Sequence, residues 1–304
     1  SAARTAPRRV SLRSAAAAPS PESLDYSVRA PRPETAPVAV KFQSNHHGHR
    51  ATHARDLWEH VGLPRSEVPH FSDADLEAIL KRRGITVEKM RTLDQARATA
   101  FQDVYTNNVW THGADVPLSG SGSTLVKTET TREAIKAAIV RYNVTSVVDA
   151  PCGDLTWMRT LFPFFDEHGV EYIGVDIVAS EISRLRAEFP TRRFERLDMV
   201  DAVLPTSDLI FSRQALQHMN VEDNVRVINR WRESGARFLL QTTYRTVSNS
   251  NYQSVGDGTN SLINFETDPY NFPHPLETWV EQDRRPEFTE VLALWVFPTH
   301  VHSE

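Results

Sequence analysis

The sequence is short of several things, and each shortage narrows what the chain can be. One cysteine, Cys152, stands among 304 residues, so no internal disulfide forms and no thiolate-clustered zinc site can be built. No run approaches the roughly 20 apolar residues that a membrane helix needs. Basic residues are not in excess: 34 Lys and Arg face 39 Asp and Glu, for a formal net charge of -5. A surface that tracks a phosphate backbone needs the opposite balance, which disfavours nucleic acid as a partner. His46, His47, His49 and His53 lack carboxylate or cysteine partners at fixed spacing, so they read as a polar loop and no metal is expected. What remains, at 40% hydrophobic and 24% charged residues, is ordinary globular composition.

Residues 1–40 read as a disordered leader or linker, because prolines at 7, 19, 21, 31, 33 and 37 break any helix. Arg4, Arg8, Arg9 and Arg13 precede the first acid, Glu22. That pattern suits an organelle transit peptide, for mitochondrion or plastid. A flexible linker, or the stem after a membrane anchor, suits it too and would leave the chain cytoplasmic or luminal. Residues 41–115 read as a helical accessory region. Ser72 before Asp73 and Asp75 marks a helix start and Gly84 its stop, and a second helix is predicted from Thr86 to about Val109.

Residues 116–304 read as a separate domain. Helix 131–142 leads to the strand Ser146–Asp149, and a helix to about Phe165 follows the turn at Pro151 and Gly153. Strands are predicted at 172–176, 193–197, 207–212 and 237–242, with a helix at 179–189. Short apolar runs alternating with amphipathic helices specify an α/β fold with a parallel, doubly wound sheet. Such sheets bind ligands beyond the carboxyl ends of their strands.

The turn after the first strand, Asp149-Ala150-Pro151-Cys152-Gly153-Asp154, carries one glycine and two acids. A dinucleotide would require a G-x-G-x-x-G loop whose amides cradle its pyrophosphate. Acids there repel phosphate and suit a ligand bearing an amino group and a sulfonium, which describes S-adenosylmethionine (SAM). Asp176, at the end of the second strand, is placed to accept hydrogen bonds from both ribose hydroxyls. Asp198 could accept from an adenine amino group while Met199 packs on the ring. His218, after the fourth strand, is the general-base candidate, since an imidazole can take a proton at neutral pH; a structural helix histidine is the competing reading.

Together these residues resemble the class I SAM-dependent methyltransferases, and more narrowly a subgroup whose first motif reads D-A-P-C-G-D followed by W-M. Here the motif runs from Asp149 to Met158. The same subgroup shows Y-I-G-V-D-I, here Tyr172–Ile177, an upstream Gly120-Ser121-Gly122-Ser123, a Thr242-Thr243-Tyr244 strand end, and a proline-rich loop, here Pro269–Pro275. The resemblance covers about residues 116–297. It implies a Rossmann-like, mostly parallel seven-stranded sheet with helices on both faces. It also implies that Gly122, Ser123, Pro151, Cys152, Trp157, Ile177 and Ser212 face the cofactor and that Arg213 acts beside His218. Gln214, Tyr244, Asn271 and His274 then meet the acceptor. The subgroup has an acid where this chain has Gln214, and a lost acid there would alter catalysis.

The segment 245–275 exceeds the usual connection and reads as a lid. Its amides and aromatics favour a carbohydrate or a small hydroxylated acceptor for O-methylation. Methylation of a protein or RNA, and a non-catalytic methyltransferase-like subunit, are the alternatives. Asn143-Val144-Thr145 matches a glycosylation sequon, but it reads first as a helix end beside the first strand.

Overall fold

Burial on both sides of a sheet demands strands with apolar interiors, and Ser146–Asp149 (β1), Glu171–Asp176 (β2) and Leu209–Ser212 (β4) meet that demand, their polar residues standing only at the strand ends. The computed structural model of the protein describes residues 68–83, 87–111, 116–245, 249, 261–282 and 289–297. The readings of residues 1–40, of the histidine cluster, of Gly84 and of Asn251, Tyr252 and Asn260 lie outside them.

With Arg193–Arg196 (β3), Phe238–Tyr244 (β5), Glu277–Gln282 (β6) and Glu290–Val296 (β7), the strands form one seven-stranded sheet in the order β3-β2-β1-β4-β5-β7-β6. β1 to β5 are parallel, and β7 enters antiparallel between β5 and β6. The fold is therefore the doubly wound α/β arrangement expected, with its strand order reversing between β1 and β4. β6, with the sequence Glu-Thr-Trp-Val-Glu-Gln, had escaped the apolar-run criterion because it is an edge strand with one wet face.

The helices are Asp73–Arg83 (α1), Val87–Thr106 (α2), Glu129–Tyr142 (α3), Phe162–Glu167 (α4), Ala179–Glu188 (α5) and Val221–Glu233 (α6). α1 starts as the sequence suggests: the Ser72 hydroxyl accepts from the Asp75 N–H at 3.2 Å, and the Asp75 carboxylate accepts from the Ser72 N–H at 2.8 Å. α3 ends on Asn143 in the left-handed region at φ 49°, the helix end that competed with the sequon. The long helix expected after the first turn is instead a 3-10 turn over Met158–Leu161 followed by the short α4. Pro163 has no N–H to donate into a preceding turn, so the regular helix restarts there.

Two apolar layers flank the sheet. One joins Ala134, Ile135 and Phe165 to Leu209, Phe211 and Leu240, and the other joins Ile210 and Leu239 to Val225, Ile228 and Trp231 of α6. Val68, Phe71 and Ile79 belong to the second layer, so the core runs across the domain boundary expected at residue 115. The described part of the supposed lid is also core. Phe265, Tyr270 and Phe272 are buried beside Trp295, and Asn249 and Asn264 hydrogen-bond across the loop to satisfy its backbone. Apolar side chains at these positions gain more from burial than a mobile cover could.

Candidate active site

At the point where strand order reverses, the ends of β1, β2 and β4 open into a cavity enclosing about 1070 Å³ free of protein atoms, its mouth included. The first turn leaves β1 through a cis Ala150–Pro151 bond and reaches Gly153 at φ 59°, a conformation that glycine takes at no steric cost. A Cβ on Gly153 would stand 3.3 Å from both the Tyr105 hydroxyl oxygen and the Ser119 Cβ.

Two buried acids form the floor. Asp176 accepts from the Gly153 N–H and from the Val178 N–H, each at 3.0 Å, so its carboxylate is held rigidly at the end of β2. Burial raises its pKa to about 6, against the pull of those N–H groups. Asp149 accepts from the Tyr172 hydroxyl at 2.7 Å. Burial, opposed by that bond and reinforced by Asp176, lifts it to about 8. Acids pushed this way lower the cost of receiving a ligand that brings N–H or O–H donors or positive charge.

Past β4 the polar groups are tied to one another. Arg213 donates from Nε to Glu281 Oε1 at 2.8 Å and from Nη1 to the Gly122 carbonyl at 3.1 Å, in an ion pair whose side chains are 4% and 0% exposed. Gln214 sits at φ 51°, with its N–H donating to Thr242 Oγ1 at 3.0 Å and its side-chain amide donating to the Glu290 carboxylate. A Cβ on Gly122 would come within 2.6 Å of Gln214 Oε1, so the two residues stand in close contact. The His218 ring lies 5.1 Å from that of Trp110, tilted by 30°. Burial lowers its pKa to about 4, so the imidazole is neutral and weakly basic rather than poised at neutral pH.

Of the residues expected at the site, Asp149, Pro151, Cys152, Gly153, Trp157, Asp176, Ile177, Asp198, Met199, Ser123, Arg213, Gln214 and His218 line this cavity. Gly122 does not line it and contributes its carbonyl to Arg213. Ser212, although buried, is absent from the wall, because alternation along β4 aims Phe211 and Arg213 at the cavity and Ser212 away from it. Tyr244 turns into a separate small cavity, where its hydroxyl donates to Gln217 Oε1 at 2.8 Å. Asn271 and His274 are exposed, and His274 pairs with Glu266 at 3.0 Å. The proline-rich loop that carries them turns its aromatic residues inward and its polar ones to solvent. Missed in the sequence were Arg97, Phe101, Tyr105 and Trp110, which wall the cavity from the N-terminal side. Their four-residue spacing from 97 to 105 was legible, but nothing local said what the face would meet.

Among the described residues no cluster of three or more His, Cys, Asp or Glu side chains could hold a metal ion, and no helix is long and apolar enough to cross a membrane.

No protein-family model and no curated protein matches the chain. Solved structures share its outline. A magnesium protoporphyrin IX methyltransferase from Synechocystis PCC 6803 with bound SAH is 13% identical, with 69% of this chain and 99% of that chain aligned at a TM-score of 0.45. A 1,6-didemethyltoxoflavin-N1-methyltransferase from Burkholderia thailandensis is 12% identical, with 67% and 90% aligned at a TM-score of 0.46. At that distance the chain is similar to these methyltransferases in outline alone, and what it binds must be read from its own side chains.

Proposed function

We propose that the chain is a SAM-dependent methyltransferase acting on a small hydroxylated acceptor. The observation that supports this most is the pairing of two buried carboxylates, Asp149 and Asp176, with a single-glycine turn at adjacent strand ends. Asp176, mostly ionised at neutral pH, would repel a pyrophosphate there, whereas ribose hydroxyls find an acceptor in it and a cationic methionyl end would favour the ionised form of Asp149. The donor set therefore fits SAM. Asp176 would hold the ribose, Asp198 and Met199 the adenine, and the 150–154 turn the methionyl end. Bound SAM supplies a methyl group already activated by its sulfonium.

The chain's own residues supply position and proton handling. Orienting an acceptor in line with the methyl group is worth about 7–11 kcal/mol in well-aligned systems. Phe101, Tyr105, Trp110 and Trp157 offer flat apolar faces around the cavity, which suit an acceptor with an uncharged ring, aromatic or sugar. His218 is in its base form at neutral pH and faces the cavity, where it can take the hydroxyl proton. Its low basicity places its share at the lower end of the 10²–10⁴-fold that such a base contributes.

Calorimetric titration with S-adenosylhomocysteine (SAH) and with NAD tests the reading. SAH should bind and NAD should not, and Asp176→Ala should weaken SAH by about 1–3 kcal/mol. Binding of NAD without SAH would overturn it. Tritiated-methyl transfer into fractionated extract then separates small-molecule, glycan, protein and RNA acceptors.

A further inference from the structure

Helix α2 turns one face to the cavity. Arg97, Phe101 and Tyr105, four residues apart, all line it, and Trp110 continues the wall beyond the helix end. Gln102 adds a contact outside the cavity, donating to the Ser180 hydroxyl at 2.9 Å.

Arg97 anchors this face. Its side chain is 2% exposed, yet it reaches three carboxylates from two separate parts of the fold. Nε and Nη2 both stand 2.9 Å from Asp198 Oδ2, Nη1 donates to Asp223 Oδ2 at 2.9 Å, and Nη2 lies 3.2 Å from Asp201 Oδ2. Asp198 and Asp201 lie in the loop after β3, and Asp223 lies in the first turn of α6. The other oxygen of Asp198 accepts from the Val200 N–H at 3.0 Å. The Asp198 carboxylate is thus gripped from both sides, and a carboxylate has about four acceptor positions, so some remain for a ligand. A planar guanidinium fixes such a group in direction as well as in place. Without it, Asp198 would lose the guanidinium that pairs with it, whereas Asp223 would keep Arg226 Nη1 at 3.5 Å.

We propose that Arg97 is a positioning residue for the adenine end of the cofactor. By fixing Asp198 and docking α2 across the cavity, it makes residues 97–110 part of the binding site. The proposal rests on the cavity being a SAM site. It follows that docking of α2 and binding of the adenosyl group favour each other, since both depend on one arrangement of Asp198.

The test uses the full chain and two probes, SAH and adenosine, titrated into wild type, Arg97→Met and Arg97→Lys well below their melting temperatures. Arg97→Met keeps the apolar stem and removes the donors. It should weaken SAH and adenosine by a common factor of about 10–100. Arg97→Lys, a point charge without the fork, should fall between Met and wild type, and it carries the test alone if Arg97→Met does not fold. Unchanged affinities with only a lower melting temperature would overturn the proposal, as would SAH weakened while adenosine is not. Failure of wild type to bind SAH would instead overturn the underlying cofactor assignment, so the two failures are distinguishable.

Discussion

His218 shows what burial does to a residue chosen for its ordinary chemistry. An imidazole after β4 was legible as a base, but its pKa of about 4 comes from the surroundings that exclude water from it. The sign of the consequence is fixed. As pH falls from about 6.5, the unfolded chain takes up a proton that the folded chain refuses, so this share of stability is full above 6.5 and is lost down through 4. Relative to His218→Phe, wild type should lose up to roughly 3 kcal/mol across that window, measured by chemical denaturation at several pH values. A difference that does not change with pH would mean that the ring is solvated. Asp149 acts in the opposite sense. Its raised pKa, about 8, gives a contribution that is complete below about 4 and lost as pH rises through 8. Comparing each variant with wild type, rather than reading the wild-type profile alone, separates the two.

At the scale of elements, local sequence specified more than it did for single residues. β1 runs over the predicted Ser146–Asp149, and α5 ends within a residue of its predicted end, because caps, turns and apolar periodicity are short-range signals. α6 illustrates the same economy. Asn220 caps it, accepting from the Asp223 N–H at 2.7 Å, with Glu222 and Asp223 in the first turn and Arg230 and Arg232 in the last. Asn220→Ala should therefore cost about 1 kcal/mol in stability. Because Asp223 also holds Arg97, some loss of SAH affinity should accompany it; unchanged stability would show that the cap is replaced by another acceptor or by water. Where the elements departed from expectation, the cause was equally local in the helix broken at Pro163. It was not local in β6 or in the 261–275 loop, whose polar residues concealed positions fixed by what packs behind them.

At the scale of the whole molecule, the boundary expected at residue 115 does not divide the core. Val68, Phe71 and Ile79 are buried against α6 and its neighbours, and each such side chain is worth about 1.5–3 kcal/mol when withdrawn from water. Their sum is comparable to the roughly 5–15 kcal/mol by which a domain of this size is stable. A chain of residues 116–304 alone should thus fail to give a cooperative melt, whereas the full chain should give one; equal melting curves would restore the two-part organisation. The sequence by itself determined the fold class, the order of most elements and the acid-and-glycine turn that lines the cavity. All of these rest on short-range pattern and on the rule that doubly wound sheets bind at strand ends. Only the tertiary structure decided that α2 closes the cavity, that Arg97 reaches Asp198 across 101 residues of chain, and that Asn271 and His274 stand outside it. Those are contacts between elements distant in sequence, chosen by complementary shape and by the need to pair buried charge, and no local pattern encodes which partner will be met.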